Sequence, residues 1–127
     1  MKKAIAGLVA AAASLGFQTS TVSALENGVG RRPAMGVNTW NSLRCDGISA
    51  EAIKKIADRV VELGFKEAGY EYVNIDDCWA TTRDPVTSKL VPDPEAFPDG
   101  MKAVSDYVHS LGLKVGIYGD RGTLTCA

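Results

Sequence analysis

Two stretches of this chain repeat one another, and the repetition limits the folds open to it. Leu63-Gly64-Phe65-Lys66 and Leu111-Gly112-Leu113-Lys114 each join a helical pattern to a strand pattern. Before the first joint, Ile53, Ile56, Ala57, Val60 and Leu63 recur at three- and four-residue spacing, the period of an amphipathic helix. Ser49 is placed to cap its start and Gly64 to stop it. Before the second joint, Met101, Val104, Val108 and Leu111 form the stripe, with Asp99 as the expected cap and Gly112 as the stop. Each joint leads into a short run rich in β-formers, Tyr72-Val73-Asn74-Ile75 and Lys114-Val115-Gly116-Ile117-Tyr118. Asp76 closes the first run and Asp120 follows the second. Met35 to Thr39 supplies an earlier candidate strand. Strand–helix–strand–helix–strand predicts an α/β chain with a parallel sheet and right-handed crossovers. Three parallel strands with helices on one side and two raw edges are not a finished fold. The segment Trp79–Pro98 is long for a strand-to-helix loop. Within it, Ala80–Arg83 and Lys89–Val91 are expected to pair as a small hairpin around Asp84-Pro85.

The first 24 residues read differently. Met1-Lys2-Lys3 is a short cationic start, Ala4 to Phe17 is uncharged and mostly Ala, Leu, Val and Ile, and Val22-Ser23-Ala24 is a small-residue cleavage pattern. That order is a secretory signal, and its apolar stretch is too short to span a bilayer. Cleavage after Ala24 leaves Leu25–Ala127, and the loss of Lys2 and Lys3 leaves 12 basic residues against 15 acidic. With no basic surplus to neutralise phosphates, the chain is not expected to bind nucleic acid. At 46% hydrophobic and 23% charged, the composition excludes collagen, coiled coil, a disordered tail and a multi-span membrane protein. Export would place the three cysteines where disulfides persist, with one left over within this chain.

The run richest in chemistry is Asn74-Ile75-Asp76-Asp77-Cys78-Trp79. It sets adjacent carboxylates at the C-terminal end of a parallel strand, where β/α folds carry their sites. Such a pair beside an aromatic suits a sugar, because carboxylates accept hydrogen bonds from vicinal hydroxyls while an indole covers the apolar C–H face. A hard cation such as Mg²⁺ or Ca²⁺ also wants oxygen ligands, and a loop-capping aspartate pair needs no ligand at all. All three readings are open on the residues alone. His109, the single histidine, sits near a helix C-terminus, where a partial positive charge is favourable, and is read as structural.

Met35-Gly36-Val37-Asn38-Thr39-Trp40-Asn41, Gly69 to Trp79, Pro92 to Met101 and Leu113 to Asp120 resemble, in order, motifs of the α-galactosidases (melibiases) of glycoside hydrolase family 27. The resemblance runs from Leu25 to Ala127 almost without gaps. It implies a (β/α)₈ TIM barrel of which this chain is the first three strands, preceded by the signal peptide. It further implies that Trp40, at the end of the first strand, packs against the sugar. Asp76 and Asp77 are implied to accept its hydroxyls, and Tyr118 to line the pocket. Trp79 is expected to pack at the loop base. Cys45 and Cys78 match a family disulfide, and Cys126 matches a half-cystine whose partner follows the fourth strand, which makes it a free thiol in this chain. The chain departs from the family pattern at Val37, where most members carry tryptophan, and at Gly119 and Arg121.

Retaining glycosidases cleave with two carboxylates about 5–5.5 Å apart. Neighbours on one strand rarely converge across a glycosidic bond, and the family draws its catalytic aspartates from later strands, beyond Ala127. The resemblance therefore implies a binding wall without a catalytic pair, no cofactor and no metal. The expected parent is a secretory-pathway enzyme, secreted or held in a lysosome or vacuole, that hydrolyses terminal α-D-galactosides. α-N-acetylgalactosaminidase is the sister reading, and a free-standing secreted sugar-binding protein the non-enzymatic one. N-terminal sequencing of secreted material is expected to begin at Leu25; an intact Met1 would refute the signal.

Overall fold

The structure is a computed structural model and describes residues 26–127; the expected signal over residues 1–24 lies outside the described residues. Three strands form a parallel sheet in the order β1 (Gly36–Asn38), β2 (Tyr72–Ile75), β5 (Lys114–Ile117). Val37, Val73 and Val115 share one register row, and Asn38, Asn74 and Gly116 share the next. Side chains alternate across a strand, so the valine row and the asparagine row face opposite sides of the sheet. The valine side carries the core. Helix α2 (Ala50–Glu62) lays Ile53, Ala57 and Val60 on it, α3 (Gly100–Ser110) adds Val104 and Val108, and Val73 and Ile75 from β2 meet them with Leu113, which precedes β5. Each fully buried valine, leucine or isoleucine among them contributes about 1.5–3 kcal/mol over its exposed state. Phe97, from the turn before α3, is also buried here, although no periodic pattern marks it.

The helix ends follow simple capping chemistry. Ser49 Oγ accepts the Ala52 N–H at 3.1 Å, as expected of the cap. Gly64 and Gly112 take φ of 75° and 72° just past the two helices, the left-handed stop that favours glycine. The second repeat closes over the first: Lys66 Nζ donates to the Leu111 carbonyl at 2.7 Å, so the lysine of one joint caps the end of the next helix. Asp99 does not cap as expected. It stands before α3 with no side-chain cap hydrogen bond, and Gly100 (φ 73°) makes the turn through the backbone. Leu63 is 56% exposed, against the expectation that it lies in the core stripe. With Ile56, Val37, Phe65 and Tyr70 it lines an apolar groove of about 670 Å³ beside the β1 edge, on the flank of α2 rather than its sheet-facing side.

Between β2 and α3 the hairpin forms with small shifts, β3 (Ala80–Arg83) pairing antiparallel with β4 (Leu90–Pro92). Asp84 organises the tip by accepting from the Thr87 N–H and hydroxyl and the Val86 N–H, which hold its carboxyl below the usual carboxylate range. A helix without an apolar stripe, α1 (Trp40–Gly47), follows β1 and was not expected from the sequence; none of its residues is buried, and it kinks at Arg44. Its order comes from polar contacts at its start and a disulfide near its end.

Two glycines set how closely the strands approach. A Cβ on Gly36 would overlap the backbone of Tyr72, and one on Gly116 would overlap the Asn74 side chain. Gly36→Ala is expected to lower stability by about 1–3 kcal/mol, the usual cost of overpacking. Gly119→Ala, with nothing within 4 Å, serves as the near-neutral control in the same urea titration.

Candidate functional site

The ends of β1, β2 and β5 meet at one rim, and main-chain hydrogen bonds lock them together. Thr39, 1% exposed, donates its N–H to the Asn74 carbonyl at 3.0 Å and accepts the Asp76 N–H on its Oγ1 at 2.9 Å. Its carbonyl accepts the Leu43 N–H at 2.9 Å and so begins α1. Trp40 is therefore the first residue of α1 rather than the end of β1, because its own N–H is taken by the Asn38 side chain at 2.9 Å. On the other flank the Tyr118 N–H donates to the Ile75 carbonyl at 2.8 Å, which seats Tyr118 just after β5 instead of inside it.

The two aspartates are held as acceptors. Asp76 Oδ2 accepts from Asn38 Nδ2 at 2.7 Å, and its Oδ1 accepts the Asp77 N–H at 2.8 Å. Asp77 Oδ1 accepts the Cys78 N–H at 2.7 Å. Asp77 is 8% exposed, one of two buried polar residues among those described. Cys78, with φ of 71°, occupies the left-handed region that non-glycine residues avoid. The Cys45–Cys78 disulfide anchors that turn to α1 and encloses a sequence separation of 33. Chain-entropy arguments put such a loop at about 3–4 kcal/mol of stabilisation. Cys126 is free and exposed.

The site residues divide between two places. Asp77 and Tyr118 line one pocket of about 300 Å³, together with Trp79, Asp120 and threonines of the hairpin and of the 123–125 segment. Trp79 packs at the loop base, as expected: its indole N–H donates to the Tyr118 carbonyl at 2.9 Å and its ring joins the core. Trp40 and Asp76 belong to the same rim but are not among the residues that line that pocket. Desolvation, followed by the nearby Asp120 and Asp77 carboxylates, raises the Tyr118 phenol above its ordinary pKa, so it stays protonated and able to donate. Among the described residues no three His, Cys, Asp or Glu side chains gather as a metal set, and no helix is long and apolar enough to cross a membrane. Asn38 and Thr39 join the site without standing out in the sequence, and Asp120, visible there only as the aspartate after the third strand, lines the pocket. The available signal was positional: Asn38 and Asn74 are polar residues within strands, on the face without helices.

The family model described as Alpha galactosidase A matches residues 32–127. The chain is 53% identical over 103 residues to a probable alpha-galactosidase B of Aspergillus oryzae, covering 80% of this chain and 23% of that protein. It is 50% identical over 111 residues to an alpha-N-acetylgalactosaminidase of Gallus gallus, covering 80% of this chain and 27% of that protein. A solved alpha-galactosidase from Saccharomyces cerevisiae with raffinose superposes with a TM-score of 0.73 at 41% identity, covering 79% of this chain and 22% of that one. The chain thus spans about a quarter of the length of the curated relatives it matches.

Non-reducing peptide mapping is expected to join the Cys45 and Cys78 peptides and to leave Cys126 open to alkylation. The Cys45→Ser, Cys78→Ser double variant should lose about 3–4 kcal/mol of unfolding free energy, read by denaturant titration.

Proposed function

Since the chain belongs to the alpha galactosidase A family, we propose that residues 25–127 form the N-terminal part of a (β/α)₈ catalytic barrel that hydrolyses terminal α-D-galactosides. In this reading residues 1–24 direct export, a role supported by the leader pattern and by a disulfide that suits an oxidising compartment. Three parallel strands with helices packed on one face match the opening of such a barrel, whose other strands would cover the free edges.

The observation that carries the reading is the state of the two aspartates. Among the described residues, every hydrogen bond that their side chains make is accepted from an N–H. Carboxylates pinned this way keep unused lone pairs in fixed directions, which suits recognition of sugar hydroxyls. Trp40 would cover the apolar side of the ring, and the protonated Tyr118 phenol would supply a donor. No metal or cofactor enters this recognition. Cleavage would fall to a nucleophile and an acid/base carboxylate on later strands, about 5–5.5 Å apart as retention requires.

The relative from Gallus gallus supports a second reading, in which the parent acts on α-N-acetylgalactosaminides. The two sugars differ at the 2-position, so the ratio of rates on the paired chromogenic substrates separates these readings. The 127-residue chain by itself is expected to be inert on both, since it would carry binding groups only. Activity from the pure chain would refute the assignment.

In the full-length enzyme, Asp76→Asn and Asp77→Asn each keep the shape but exchange an acceptor oxygen for a donor and remove the charge. Hydrogen bonds to charged groups contribute about 1.5–3 kcal/mol, so kcat/KM should fall roughly 10- to 100-fold. Azide should not rescue Asp76→Gly or Asp77→Gly. A glycosyl azide product would make the rescued residue the nucleophile and overturn its binding role.

A further inference from the structure

We propose that Asn38 is a positioning residue that sets two galactoside contacts, Asp76 and Trp40, through a single side-chain amide; this rests on the reading of those residues given above. The geometry determines which way the amide points. The Trp40 N–H can only donate, so the Asn38 atom 2.9 Å from it is the carbonyl oxygen. The amino group is thereby turned toward Asp76 Oδ2 at 2.7 Å, which can accept it. One rigid planar group thus ties the start of α1 on one strand to the carboxylate at the end of the next, across a sequence separation of 38.

Neither contact is needed to build the sheet. Asn38 is exposed, contributes nothing to the core, and its ladder pairing with Asn74 runs through the backbone. Thr39 already fixes the main chain of Asp76, and the Asp77 N–H holds Oδ1. What Asn38 adds is the second oxygen. With both oxygens held, the carboxylate plane has one orientation. Without Asn38, Oδ2 loses its partner within the chain, and the carboxylate can turn away from a sugar while the fold persists. The same loss frees the first N–H of α1 and lets Trp40 shift, so orientation and aromatic cover would fail together.

The test uses the full-length enzyme and a chromogenic α-galactoside over a range of pH. Asn38→Ala should lower kcat/KM about 5- to 50-fold, mostly through KM, at every pH where the wild type is active. Asn38→Asp keeps the acceptor for Trp40 but sets a second carboxylate against Asp76. Like charges in one site favour sharing a proton, so this variant should be weak at neutral pH and recover toward wild type as the pH falls. A merely structural residue would not show that acid recovery. On an Asp76→Asn background, adding Asn38→Ala should cost less than threefold more, because the two act as a unit. The proposal is overturned if the effects of Asn38→Ala and Asp76→Asn multiply. It is equally overturned if Asn38→Asp shows the same pH-independent loss as Asn38→Ala, or if both variants stay within twofold of the wild type. An inactive wild-type protein would overturn the galactosidase reading and this inference with it. An active wild type with insensitive Asn38 variants would overturn the inference alone. If Asn38→Ala does not fold, the pH profile of Asn38→Asp decides.

Discussion

The hydroxyl of Thr39 holds the rim together. A parallel pair of strands offers no tight turn to align its ends, so something other than connectivity must bring the end of β1 level with the end of β2. Thr39 does this with all three of its polar groups: its N–H pairs with Asn74, its Oγ1 takes the Asp76 N–H, and its carbonyl starts α1. The side chain is almost fully buried, so an unpaired partner there would bear the full desolvation cost. Main-chain placement of Asp76 and of the first turn of α1 therefore follows from one residue. The contacts at the side chains of Asp76, Asp77 and Trp40 are refinements on a frame already set.

The two ends of the sheet are ordered by different means. At the rim that carries Asp76 and Asp77, polar contacts and a disulfide hold segments that bury little apolar surface, as the stripe-free α1 shows. At the other end, the helices stop on left-handed glycines, and lysines bridge the repeats. Packing against the valine face seats α2 and α3 on the sheet. Such a division would suit the proposed site, whose groups must reach a ligand while their supports do not move.

Much of this was legible in the residues. The two helices, the parallel order and the hairpin all follow from periodicity, stop signals and turn chemistry, which are local and strong. Ser49 caps as its position predicts. Asp99 does not, because Gly100 supplies the turn by backbone conformation, and a side chain at the cap position is then not needed. Helix α1 carried no readable pattern, since its order comes from contacts made 37 and 33 residues away in sequence. Leu63 fits the helical period yet lies on the flank, because the period specifies a stripe and not which part of it meets the sheet. Of the site, Asp76 and Asp77 stand out by their chemistry, and Trp40 and Tyr118 by family resemblance alone. The groups that orient them do not, because an asparagine or threonine in a strand has no signature until its partner across the sheet is known.

The contact from Lys66 to the Leu111 carbonyl carries a consequence for how such a chain can be rearranged. Two tandem units that echo each other in sequence are stitched together, since the joint of the first completes the helix of the second. A crossover or circular permutation that opens the chain within the first joint would strip the cap from α3 as well as severing α2 from β2. Duplication of one unit would leave a helix end without its lysine or a lysine without its helix. A break at the hairpin tip, where Asp84 closes a turn of its own, would spare both joints.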